Sequence, residues 1–154
     1  MVGAREPDTF PQPDAVGWTI VRVAHVLQRR FEEAMRELGL TPTQFGVLSA
    51  IAADPGIGSG QLARQVLVTP QSVGELVATL EAGGHVVRDR SAGRGRRAGI
   101  QLTPQGRALL VRAYAIVRAT NEPAVLGLQP EEVAELDSLL HRVLRASQPQ
   151  AERR

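Results

Sequence analysis

The chain has 154 residues, 43% hydrophobic and 22% charged, with a formal net charge of +2, a composition that suits one packed domain or a domain with extensions. It has no cysteine, which excludes disulfides, thiolate metal sites and thiol redox switching. No apolar run reaches the roughly eighteen residues that a membrane span requires.

The first stretch, MVGAREPDTFPQPD, lacks the apolar middle of a secretory signal, so a cytoplasmic place is expected. Three prolines and little apolar pattern make residues 1–13 a flexible arm. From residue 14, Val16, Ile20, Ala24, Leu27, Phe31, Ala34 and Leu38 recur at spacings of three and four, predicting a long helix that closes at Gly39. Next, Thr41 and Gln44 form a capping box and Leu40 can staple onto Phe45, which starts a second helix. That helix turns Phe45, Leu48, Ile51 and Ala52 inward and stops at Asp54-Pro55-Gly56. The following Gly56-Ile57-Gly58-Ser59-Gly60 lacks the lysine of a phosphate-binding loop and no strand precedes it, so it reads as a turn. A short helix over 60–66, with Leu62, Ala63 and Val66 inward, leads through Leu67-Val68-Thr69 to the next, which is helix-turn-helix spacing.

Residues 69–102 organise the rest. Thr69 can cap, Pro70 suits the first helical position, Val68 can staple onto Val73, and Gly83-Gly84 ends the helix. Val73, Leu76, Val77 and Leu80 share one face; Gln71, Ser72, Gly74, Glu75, Ala78 and Thr79 make the opposite one, small or polar enough to approach base edges. Val86-Val87-Arg88 and Ile100-Gln101-Leu102 read as two strands joined by a glycine-containing loop. Between Arg88 and Arg97 stand five arginines and one aspartate, so this stretch carries more positive charge than the whole chain and the remainder is slightly acidic. A basic hairpin alone can be a solvated surface. Coming directly after a capped helix of groove size, it points instead to phosphate attraction and minor-groove insertion. All the basic residues are arginine; that suits bidentate phosphate contacts, but use this uniform is mostly weighed as coding bias.

Thr103-Pro104 opens another helix with Leu109, Leu110, Ala113, Ile116 and Val117 inward, ended by Pro123. Pro130-Glu131-Glu132 then sets acidic residues at the start of a last helix, which carries Val133, Leu136, Leu139, Leu140, Val143 and Leu144. His25, His85 and His141 are far apart in sequence, and there is no paired-histidine zinc motif and no nucleophile elbow, so neither catalysis, a metal nor a cofactor is expected. The rival to a DNA-binding reading is a helical dimerisation or scaffold module built from the outer helices.

The run from Leu40-Thr41-Pro42-Thr43-Gln44-Phe45, through Leu80-Glu81-Ala82-Gly83-Gly84-His85-Val86-Val87-Arg88 and Arg96-Arg97, to Leu102-Thr103-Pro104-Gln105-Gly106 resembles the MarR family of bacterial transcription regulators. The resemblance spans residues 14–146 and implies a mainly α fold with a small β-wing. In it, a winged helix-turn-helix lobe (40–103) joins a helical dimerisation region (14–39 and 104–146), with a flexible tail at 147–154. It also implies a homodimer acting on double-stranded DNA, as a repressor at a pseudo-palindromic operator, with a small ligand held between lobe and dimer region. Two departures stand out: Gly95 precedes Arg96-Arg97 where the family's wing usually has aspartate, and Gly74, Glu75 and Thr79 stand where its recognition helices often carry basic residues. Affinity is therefore expected to lean on the wing.

The candidate DNA contacts are Thr69, Pro70, Gln71, Ser72 and Glu75 on the recognition helix and Arg88, Arg90, Arg94, Arg96 and Arg97 on the wing. For Glu75 the other reading is repulsion from phosphate or a salt bridge to an arginine. On the first helix, Trp18, Arg22, His25 and Arg29 form a stripe opposite Ile20, Ala24, Leu27 and Phe31. That stripe is either solvent-facing, with Trp18 packing at a dimer seam, or a site for a small aromatic acid, paired by arginine and covered by the indole. In the second case, the family's pocket position brings Phe45 and Tyr114 within reach.

Overall fold

The computed structural model describes residues 15–88 and 99–147. These form helices α1 (Val16–Met35), α2 (Pro42–Ala53), α3 (Ser59–Gln65), α4 (Pro70–Ala82), α5 (Pro104–Thr120), α6 (Pro123–Leu126) and α7 (Pro130–Ser147), with strands β1 (Val86–Arg88) and β2 (Ile100–Leu102) between α4 and α5. The fold is mainly α with one small antiparallel sheet, as expected.

Helix starts follow their local chemistry. The Thr41 hydroxyl accepts from the Gln44 N–H at 3.2 Å while the Gln44 side chain accepts from the Thr41 N–H at 2.9 Å, so the capping box of α2 is complete. Thr69 and Thr103 cap α4 and α5 in the same way, each followed by proline at the first helical position. The long first helix ends earlier than its periodicity suggests: a 3-10 turn over Arg36–Leu38 tightens its last residues before Gly39 turns the chain at φ +62°.

The core is formed by Val47, Leu48 and Ile51 of α2, Leu62 and Ala63 of α3, Val73, Val77 and Leu80 of α4, Leu109, Leu110 and Ala113 of α5, and the strand residues Val86, Ile100 and Leu102. The inward face expected of α2 needs one correction, since Ala52 is exposed and Val47 is buried. α2 is packed on several sides, against α1, α3, α4, α5 and β2, so its buried surface is broader than one helical stripe. A second correction concerns residues 56–60. Ile57 is buried and pairs with Ile100 across an isolated bridge, adding a third chain to the hairpin rather than a plain turn. α6, a single short turn between Pro123 and Gly127, was not foreseen.

Register in the hairpin pairs Val86 with Leu102, Val87 with Gln101 and Arg88 with Ile100. Its root is a dense junction. The Thr103 hydroxyl donates to the Gly84 carbonyl at 2.7 Å and accepts from the Gly106 N–H at 3.0 Å, while the Thr103 N–H donates to the His85 carbonyl at 3.0 Å. Gly106 lies so close to that carbonyl that a Cβ there would overlap it, and Gly99 likewise lies on the backbone of Gly56. The absence of a side chain at these two places lets α5 and the wing close on their neighbours.

Outside this core the packing is thin. No residue of α7 is buried, and Leu136, Leu139, Leu140, Val143 and Leu144 are all exposed. α1 likewise exposes Val16, Trp18, Val21, Val23 and Val26.

These environments predict opposite effects for one substitution at two glycines. Gly106→Ala forces backbone apart and should cost roughly 2–3 kcal/mol. Gly74→Ala meets nothing within 4 Å in the middle of a helix and should add about 0.5–1 kcal/mol. Denaturant unfolding of the two variants beside the parent checks both signs.

Candidate nucleic-acid interface and effector cleft

The helix-turn-helix is α3 and α4, joined by residues 66–69. α4 buries Val73, Val77 and Leu80, half-buries Leu76, and leaves Gln71, Glu75, Ala78 and Thr79 exposed, so the two faces divide as their periodicity requires. At the N-terminal edge Thr69, Pro70 and Gln71 are all exposed.

The hydroxyls are less free than the residue types suggest. Ser72 is half-buried; its N–H donates to the Thr69 hydroxyl at 3.1 Å, and the two hydroxyls lie 2.9 Å apart. The Thr79 hydroxyl donates to the Glu75 carbonyl at 3.0 Å. Gln71 and Glu75 therefore carry the polar groups on this helix that are both exposed and uncommitted to its own backbone.

Of the wing arginines, Arg88 lies within the described residues; Arg90, Arg94, Arg96 and Arg97 lie outside them. Arg88 turns back onto α4. Its Nε sits 3.4 Å from the Glu81 carboxylate and its Nη2 donates to the Gly74 carbonyl at 3.4 Å. Both charged side chains are about one-third exposed, where such a pair adds at most about 1 kcal/mol. It nevertheless links the first wing strand to the recognition helix. Glu81 was not foreseen as the partner of Arg88, because the two residues meet only after Gly83 and Gly84 reverse the chain.

Two recesses flank α1. A cleft of about 1080 Å³ lies between α1, α2 and α4, lined by Leu27, Phe31, Val66 and Leu76, with Glu32 and Glu75 as its charged groups. A second, of about 810 Å³, runs between α1 and the α6–α7 segment; Arg22, Arg30 and Asp137 are its charged groups, set among Val23, Val26, Leu136 and Leu140. The six residues expected around an aromatic acid divide among separate places. Arg22 lines the second recess. Phe45 and Tyr114 meet edge to face, with ring centroids 5.3 Å apart at 83°. Trp18, His25 and Arg29 are exposed on α1, opposite its half-buried Ile20, Leu27 and Phe31. The α1–α2–α4 cleft itself was missed, since it joins residues distant in sequence and its lining carries no concentration of charge.

A family model described as the MarR family matches residues 38–97. The HTH-type transcriptional repressor Rv2887 of Mycobacterium tuberculosis is 35% identical over 128 residues, covering 83% of this chain and 92% of that protein. The structure of Rv2887 in complex with salicylic acid is similar to this fold at a TM-score of 0.72 and 34% identity, covering 87% of this chain and 99% of the other. Its complex with DNA is similar at a TM-score of 0.71 and 32% identity, covering 84% and 97%. With that identity over nearly the whole of its relative, and with a recognition helix and hairpin in the same fold, the chain belongs to the MarR family.

Proposed function

We propose that this protein is a transcription repressor that binds an operator as a twofold dimer and is released by a small aromatic acid. The observation that carries DNA binding is the exposed N-terminal face of α4, with Thr69, Pro70, Gln71 and Glu75 outward, next to a hairpin between whose strands the sequence holds four further arginines. The relative Rv2887 forms a complex with DNA. A charge-bearing wing supplies affinity by displacing counterions, and an uncharged amide such as Gln71 reads base edges. No helix among the described residues is long and apolar enough to cross a membrane, in keeping with a regulator that works on DNA in the cytoplasm.

The dimer follows from the exposed stripes of α1 and α7, because a chain that left so many valines and leucines in water would carry an apolar surface larger than monomers tolerate. Apposing two copies about a twofold axis covers both helices and sets two recognition helices into successive major grooves, roughly 34–36 Å apart. A scaffold without DNA binding would use the same helices but leave the α4 face and the wing without a task.

For the effector, charge discriminates between recesses. Glu32 and Glu75 repel an anion from the α1–α2–α4 cleft, whereas the α1–α6–α7 recess sets Arg22 and Arg30 against the one carboxylate of Asp137, and the exposed Trp18, His25 and Arg29 lie on the same face of α1 as Arg22. In a dimer that face lies towards the second copy. Rv2887 has been solved with salicylic acid, which is the ligand chemistry such a face suits. A ligand that holds the lobes at a spacing unlike the operator's lowers DNA affinity by its differential binding to the two arrangements.

Two outcomes follow for DNA binding. Arg96→Ala should weaken binding to all duplexes and lower the salt slope by about one unit, whereas Gln71→Ala should relax preference at one base pair; a parental salt slope for Arg96→Ala would remove that phosphate contact. Sedimentation should show two protomers per operator, and a monomer on an isolated half-site would defeat the dimer. For the effector, millimolar salicylate should release operator in a gel shift and quench Trp18 fluorescence, and Arg22→Ala should blunt release without weakening DNA binding. No change in either signal would leave Trp18 as packing alone.

A further inference from the structure

We propose that Leu67 is itself a DNA contact, an apolar side chain on the α3–α4 turn that meets the apolar edge of the duplex beside the bases read by α4. The inference rests on the DNA-binding reading above and adds a residue to it.

Leu67 has φ +56°, and among the described residues it is the one non-glycine with positive φ; Gly39, Gly56, Gly84 and Gly127 hold the others. The turn explains the conformation. The Val66 N–H donates to the Leu62 carbonyl at 3.0 Å and the Val68 N–H to the Ala63 carbonyl at 3.1 Å, which closes α3 through a left-handed residue, a position that favours glycine. The turn does not explain leucine, whose Cβ is crowded in this conformation. Packing does not explain it either: the residue is 64% exposed, while Val66 and Val68 on either side are half-buried against the core.

An exposed leucine alone is ordinary on a protein surface, and so is a left-handed turn. Here both penalties fall on one residue, two positions before the threonine that caps the recognition helix; the left-handed turn closes α3, but an exposed leucine in it adds no packing to the lobe. Backbone outliers of this kind persist where function requires them. Helix-turn-helix docking places the first residues of the second helix in the major groove, so the turn before them rides at the groove's edge. Thymine 5-methyl groups and deoxyribose faces supply apolar surface there. A leucine adds affinity at such a place without adding charge.

The test uses the full chain and an operator duplex recovered by selection from random DNA, with variants Leu67→Gly, Leu67→Asn and Leu67→Met. Glycine and asparagine both accept the left-handed turn. They should melt at or above the parental temperature, yet bind the operator about tenfold more weakly, the scale expected for a partly buried leucine contact. The salt slope should not change, because an apolar contact displaces no counterions. Leu67→Met should keep most of the affinity. Uracil in place of thymine near each half-site identifies the partner: a loss for the parent but not for Leu67→Gly assigns the 5-methyl group, and equal binding by the parent assigns the sugar face. Parental affinity in folded Leu67→Gly and Leu67→Asn proteins overturns the inference, as does a lowered melting temperature or a weakened affinity with an altered salt slope. A parent that binds no duplex at all would defeat the DNA-binding reading instead.

Discussion

The fold turns on one junction, where the Thr103 hydroxyl and N–H hold the carbonyls of Gly84 and His85 while Gly106 closes against the second of them. This joins the C-terminal end of the recognition helix, the first wing strand and the start of α5 within a few residues. Because each contact is to backbone, the junction is insensitive to side chains elsewhere and stiff against small shifts. The consequence is mechanical. Helix α5 leads towards α6 and α7, so the angle between lobe and arms is set at the same place as the angle between recognition helix and wing. The run Leu102-Thr103-Pro104-Gln105-Gly106 is thus a joint as well as a helix start.

Much of this was legible in the sequence because its causes are local. Capping threonines followed by proline set the starts of α2, α4 and α5 within a residue or two, and paired glycines after Ala82 set the end of α4. Both strands of the hairpin stand where their apolar residues predicted. What was not legible depends on contacts between distant segments. Ile57 joins the hairpin only because Gly99 lets the two backbones touch, and nothing near Ile57 signals that. Val47 displaces Ala52 from the buried face because α2 has neighbours on several sides. Arg88 reads as a wing cation, yet the folded hairpin turns it onto Glu81. The effector residues share a stripe on α1, and a stripe specifies a direction without specifying what lies across from it.

The lobe and the arms differ in kind. Around α2 and α4 the apolar side chains are covered by the chain's own helices and sheet, whereas α1 and α7 leave many of theirs 40% exposed or more. Segments that share a buried core resist displacement, and helices with little buried surface adopt the geometry that their contacts impose. Recesses between such parts, bounded by α1 on one side, are where a small molecule gains the most leverage, because filling one changes the relation between two bodies rather than the interior of either. The α1–α2–α4 cleft, the one of the two that adjoins the lobe, sets its occupant against Glu75 and Leu76 of α4 itself.

Charge is divided along the same lines. α4 exposes the amide of Gln71 and the carboxylate of Glu75 and carries no cation of its own, while the sequence between β1 and β2 holds Arg90, Arg94, Arg96 and Arg97. In a protein read this way, attraction and recognition fall to different segments. The wing supplies a salt-sensitive pull that is nearly blind to sequence. The helix supplies discrimination and little pull, since its carboxylate is repelled by phosphates unless a base amino group receives it. A carboxylate is tolerable on that face only while the wing holds the duplex. On the proposed contacts, specificity would arise partly by exclusion, because sequences that offer Glu75 no donor would leave it unpaired beside the phosphates while the arginines attract every duplex alike.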